Sequence, residues 1–154
     1  TKENYENFEF TLDWKISEGG NSGIFILGDE KGRSVYTNAP EIQILDNEKH
    51  SDRGNKTHHS GSLYDMVASP ADSKKKAGEW NTSYLKIDNG KLTIKQNGVL
   101  IVDIKINGEK WNGLKKKSKF RNWKGFGMNT SGFLGLQDHG NKVSFKNMKI
   151  KVIK

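Results

Sequence analysis

Near the start of the chain, Phe8, Phe10, Leu12, Trp14 and Ile16 are separated one by one by Glu9, Thr11, Asp13 and Lys15. A period of two places all five apolar side chains on one face of an extended strand, where a helix would scatter them around its circumference. A strand with one apolar face must be covered by another layer. No segment offers a convincing helical stripe, so the cover is expected to be a second sheet.

The rest of the sequence repeats this pattern between turn signals. Gly23–Leu27 and Glu41–Asp46 read as strands, followed by a long polar loop over 47–61 that carries three histidines. A short strand over Ser62–Val67 precedes a lysine-rich connection. Trp80–Ile87, Lys91–Lys95 and Val99–Ile106 form a run of hairpins, joined by Asp88-Asn89-Gly90 and by Asn97-Gly98, the strongest two-residue hairpin signal present. Residues 109–131 read as an irregular excursion pinned by Trp111, Phe120, Trp123 and Phe126. Gly132–Gln137 and Val143–Ile153 close the sheet. In the last strand Val143 and Phe145 share one phase and Met148, Ile150 and Val152 the other, which predicts a β-bulge near Lys146-Asn147. About ten short strands and long connections predict an all-β jelly-roll sandwich of two antiparallel sheets.

At 154 residues the chain fits one domain over 1–154. No apolar run reaches the roughly 20 residues of a membrane span. The absence of cysteine excludes disulfides and thiolate chemistry. Opening at Thr1 rather than Met is consistent with removal of an upstream segment. The net charge of +8 comes almost wholly from lysine, 23 against three arginines. It is thinly spread, in loops beside Gly and Ser, so a nucleic-acid partner is not expected.

Chemistry concentrates in two places. In Glu41-Ile-Gln-Ile-Leu-Asp46, alternation puts Glu41 and Gln43 on one face and Ile42 and Ile44 in the core. A bulge after Ile44 would bring Asp46 round to the same face. Two acids and an amide on a concave sheet face suit a sugar-processing cleft, although a merely polar outer face gives the same pattern. In Gly135-Leu-Gln137-Asp138-His139-Gly140, three polar side chains end a strand at a sheet rim. Histidine titrates near neutral pH, so His139 is a candidate base or metal ligand. A divalent cation is the one cofactor these residues leave open, and its ligands are not evident. Trp80 and Asn81 could stack on and bind a sugar, or serve the core.

Taken in order, Asn21-Ser-Gly-Ile-Phe25, the 41–46 strand, Gly61-Ser-Leu-Tyr64-Asp65, Gly78-Glu-Trp-Asn81, Asn97-Gly98, the 132–140 segment and Val143–Ile150 resemble the 3-keto-disaccharide hydrolase domain family. The resemblance implies a concanavalin A-like, laminarinase-like jelly roll, with the family's N-terminal strands missing from this chain. It implies a bacterial protein of the periplasm or cell surface that cleaves glycosides whose sugar C3 hydroxyl has become a ketone. Its catalytic set would be Glu41, Asp46 and His139, with Gln43, Tyr64, Trp80, Asn81, Gln137 and Asp138 binding the carbohydrate. A C3 ketone acidifies the C2 proton, so base-assisted elimination is the expected route, with His139 as base and Glu41 as acid, or Glu41 as base if desolvated. A non-catalytic, lectin-like carbohydrate-binding module on the same fold is the alternative.

Overall fold

The computed structural model describes residues 1–31 and 34–154. Its strands are β1 (Phe8–Ile16), β2 (Asn21–Gly28), β3 (Glu41–Leu45), β4 (Asn81–Asp88), β5 (Lys91–Gln96), β6 (Val99–Lys105), β7 (Phe133–Leu136) and β8 (Val143–Val152). They form a five-stranded sheet, ordered β6-β5-β4-β1-β8, and a three-stranded sheet, ordered β3-β2-β7. Every pairing is antiparallel. The chain crosses between the sheets after β1, β3, β6 and β7, as a jelly roll does.

The alternation in β1 drives this arrangement. Its apolar side chains, with Leu85 and Ile87 of β4 and Leu92 and Ile94 of β5, meet Ile24, Ile26, Ile42 and Ile44 from the smaller sheet. Two hairpins turn on Asn-Gly pairs with positive φ at both residues, 50° and 74° at Asn89-Gly90 and 51° and 84° at Asn97-Gly98. That backbone matches the twist of the strands it joins. The bulge in β8 lies where the phase switch places it: Thr11 pairs with Lys149, but Asp13 with Lys146. Asn147 takes φ 52° there and donates to Asp13 Oδ2 at 2.7 Å.

Two elements differ from the sequence reading. Glu109–Lys117 forms a helix, α1, within the expected irregular excursion. Only Trp111 is buried along it, so it has an anchor and no stripe. Glu109 in its first turn and Lys115–Lys117 in its last complement the helix dipole instead. Residues 62–67 form only isolated bridges, Ile42 to Leu63 and Leu63 to Val67. The segment still covers the edge of β3, since Gln43 N–H donates to Ser62 O at 3.0 Å and Tyr64 N–H to Glu41 O at 2.9 Å.

Leu12 is wholly buried between the sheets. Leu12→Ala is expected to cost about 2–5 kcal/mol in urea denaturation while leaving the β-type circular dichroism spectrum intact.

Candidate functional site

The outer face of the three-stranded sheet carries the site. Ile24, Ile26, Ile42, Ile44 and Leu134 face the core, so the alternate residues face away from it. Register then sets the rows. Gln43 lies opposite Gly23, and Gln137 joins that row by donating its N–H to Gly23 O at 2.9 Å. Glu41, Phe25 and Gly135 form the next row, and Asn21 lies beyond Gly23. Over this floor is a cleft of about 160 Å³ lined by Glu41, Gln43, Asn21, Gln137 and His139. Tyr36, Tyr64, Lys119, Phe120 and Trp123 wall it.

Glu41 is the titratable group whose surroundings matter most. Its side chain lies flat across β2 at Gly23, where an added Cβ would overlap the carboxylate. Burial pushes its pKa up to about 7, and the nearby Lys119 charge opposes that rise only in part. Beside it, Gln43 is buried with Oε1 accepting from Ile44 N–H at 3.0 Å. Asn21 Oδ1 and Gln137 Oε1 are buried acceptors with no hydrogen-bond partner. Such orphaned acceptors cost roughly 1–3 kcal/mol each unless a ligand donates to them, and sugar hydroxyls are donors of the right kind.

A polar clamp holds the wall beside Glu41. His58 Nδ1 and Nε2 meet Asp52 Oδ2 at 2.7 Å and Asp65 Oδ1 at 2.9 Å. The His58 ring stacks on Tyr64 with centroids 4.3 Å apart. Asp65 Oδ2 accepts the backbone N–H of Lys119 at 2.6 Å, which sets Lys119 Nζ 4.2 Å above the Tyr64 ring. Burial and the Asp52, Glu41 and Asp65 charges push the Tyr64 hydroxyl well up, so it stays a proton donor.

Glu41, Gln43, Tyr64, Gln137 and His139 therefore meet in one cleft, and four other sequence candidates do not. Asp46 is buried at the end of β3, and β2 and β3 pair without the bulge that would have turned it outward. Its carboxylate accepts from Gly19 N–H at 2.7 Å and Glu48 N–H at 3.0 Å. Burial alone would raise its pKa, but these backbone donors outweigh it and hold the group below the usual carboxylate range. Its work is to fasten two turns.

Trp80 lies on the outer face of the larger sheet, with Lys15 Nζ 5.0 Å and Lys146 Nζ 4.0 Å from its ring centroid. Asn81 is buried and accepts from Asn97 Nδ2 at 2.8 Å, supporting the hairpin. Asp138 caps its own turn, accepting Gly140 N–H at 2.9 Å, and borders a neighbouring groove.

Among the described residues, no three His, Asp or Glu side chains converge as metal ligands. The 50–59 histidines are occupied separately: His50 accepts Asp52 N–H, His58 sits in the clamp, and His59 contacts Arg53 O and Lys74 Nζ. No described helix is long and apolar enough to cross a membrane.

Sequence reasoning missed Asn21, Tyr36, Lys119 and Trp123 as cleft residues. Asn21 was legible, because counting back by twos from Phe25 places it on the Glu41 face. Lys119 carried no signal beyond a lysine-rich stretch.

The sequence model of the 3-keto-alpha-glucoside-1,2-lyase-like domain matches residues 1–151. The chain belongs to this family. A Bacteroides thetaiotaomicron protein named 3-keto-disaccharide hydrolase is 36% identical over 97% of this chain and 59% of its own length. The chain thus spans about three fifths of that relative. Two Parabacteroides distasonis crystal structures, of proteins assigned as glycosyl hydrolases, superpose with TM-scores of 0.89 and 0.80 at 31% and 27% identity. They cover 100% and 99% of this chain, and 73% and 81% of their own. A Bacillus subtilis carbohydrate-binding module, CBM66, shares the fold at TM-score 0.58 and 12% identity, over 97% of this chain and 78% of its own. Leu27 is buried in the core with φ 53°.

The Glu41 environment predicts a pH signature. Its folded pKa near 7 exceeds the model-compound value of 4.5, so the folded state binds the proton more tightly than the unfolded chain. The protonated form's contribution is complete below pH 4.5 and is lost as pH rises through 7. Glu41→Gln is expected to raise Tm relative to wild type at pH 8, with the difference vanishing below pH 4.5.

Proposed function

We propose that the cleft cleaves glycosides whose sugar carries a C3 ketone, with Glu41 as the base. The observation that carries this reading is a buried carboxyl with a pKa near 7 beside orphaned acceptors. A base that titrates near the working pH is best matched to proton transfer. The name of the B. thetaiotaomicron relative and the description of the family support the keto-sugar substrate.

The chemistry is an elimination followed by addition of water. Glu41 takes the C2 proton, which the adjacent C3 carbonyl acidifies, and the electron pair moves into the enolate. The enolate then expels the C1 oxygen substituent, which takes a proton from an acid and leaves as an alcohol. Water adding across the resulting C1–C2 double bond completes a net hydrolysis. Lys119 and the Tyr64 hydroxyl stand on the wall as a cation and a donor for the enolate oxygen. His139 at the rim is the acid for the leaving oxygen. Asn21, Gln43 and Gln137 hold hydroxyls. The carbohydrate is bound in the periplasm or at the cell surface.

With a 3-keto-glucoside in D₂O, deuterium is expected at C2 of recovered substrate or product, or a C2 isotope effect on turnover. Turnover without either contradicts the elimination. Glu41→Gln should slow cleavage by about 10²–10⁴-fold. Binding of the keto-sugar without any turnover would make the domain a carbohydrate-binding module instead.

A further inference from the structure

The cleft alone is too small for a whole disaccharide or glycoside. Ligands of that size take roughly 300–1,000 Å³, and the cleft offers about 160 Å³. A groove of about 500 Å³ adjoins it, and the two share Tyr36, Gln137 and His139. The character of the lining changes across that boundary. Among the described residues, the groove is bordered beyond those three by Ser34, Val35, Phe133 and the buried Phe25. Tyr36 keeps 51% of its surface exposed, although it borders a concave site. Register supplies the path from one to the other, because Glu41, Phe25 and Gly135 form one row across the sheet. A substrate with its oxidised ring at Glu41 would pass its C1 substituent by His139 toward Tyr36 and Val35.

We propose that this groove is the leaving-group subsite, and that it selects glycosides with an apolar or aromatic aglycone. This rests on the functional reading above. Burial of an apolar aglycone against Tyr36, Val35 and Phe133 removes apolar surface from water on both partners. The flat ring of Tyr36 offers a stacking face at the point where the glycosidic oxygen would pass His139. Asp138 at the groove margin disfavours anionic leaving groups such as phosphate.

The test compares benzyl and methyl 3-keto-glucosides, whose alcohols have nearly equal acidity, so that leaving-group chemistry is held constant. The benzyl compound is expected to have a kcat/KM larger by about tenfold or more, the scale on which an apolar pocket discriminates. Val35→Asp and Phe133→Ser should each pull the benzyl-to-methyl ratio toward one, with turnover of the methyl compound reporting an intact cleft. A wild-type ratio near one, or a high ratio that both variants leave unchanged, overturns the subsite. If neither glycoside is cleaved, the functional reading fails, and saturation-transfer NMR still judges the groove. Strong transfer to the benzyl ring protons that is lost in Val35→Asp supports the subsite, and no transfer to them overturns it.

Discussion

Glu41 can lie across β2 because residue 23 is glycine, and the chemistry proposed for the cleft depends on that contact. A side chain at 23 would push the carboxylate off the sheet and into water. In water the group would return toward the ordinary carboxylate range and lose its match to neutral pH. The register of β3 on β2 brings the two residues into place, and the isoleucines on the opposite face hold that register. A slip by one residue would send Glu41 into the core and Ile42 into the cleft.

The remaining parts of the site act on this carboxyl. The segment 61–64 lies along β3 and presents Tyr64 beside it, while the His58–Asp65 clamp fixes the backbone of Lys119 on the same wall. Lys119 tempers the effect of burial without cancelling it. The orphaned oxygens of Asn21 and Gln137 fit the same pattern. Under the proposed function, sugar hydroxyls would supply the donors that these two buried oxygens lack.

The fold was legible because alternation with a period of two is a strong signal, and Asn-Gly turns mark where it restarts. The β8 bulge was legible for the same reason, from a single change of phase. The candidate site was legible on β3 at Glu41 and Gln43, and in the motifs beside strands at Tyr64, Gln137 and His139. Asp46 and Trp80 were misplaced because polarity does not reveal whether a carboxylate faces a cleft or fastens backbone turns, nor which of two outer faces an aromatic joins. Lys119 and Tyr36 sit in short 3₁₀ turns, where only tertiary packing decides what they approach. Helix α1 was hidden because one buried tryptophan anchors it. The same register exposes a mismatch between the sheets: Ile150 and Val152 pair with the inward-facing Phe10 and Phe8, yet stay 38% and 58% exposed. Three strands are too few to cover the margin of five.

The account turns on the protonation of one side chain, and that can be observed without substrate. The protein would be labelled with ¹³C at the glutamate side-chain carboxyl, and Glu41→Gln would assign the resonance. Titration by NMR from pH 4 to 9 would then follow this group alone. A midpoint near 7 that persists in high salt is the predicted result. A midpoint near 4.5 would show a solvated, ordinary carboxylate and contradict the assignment of Glu41 as the base.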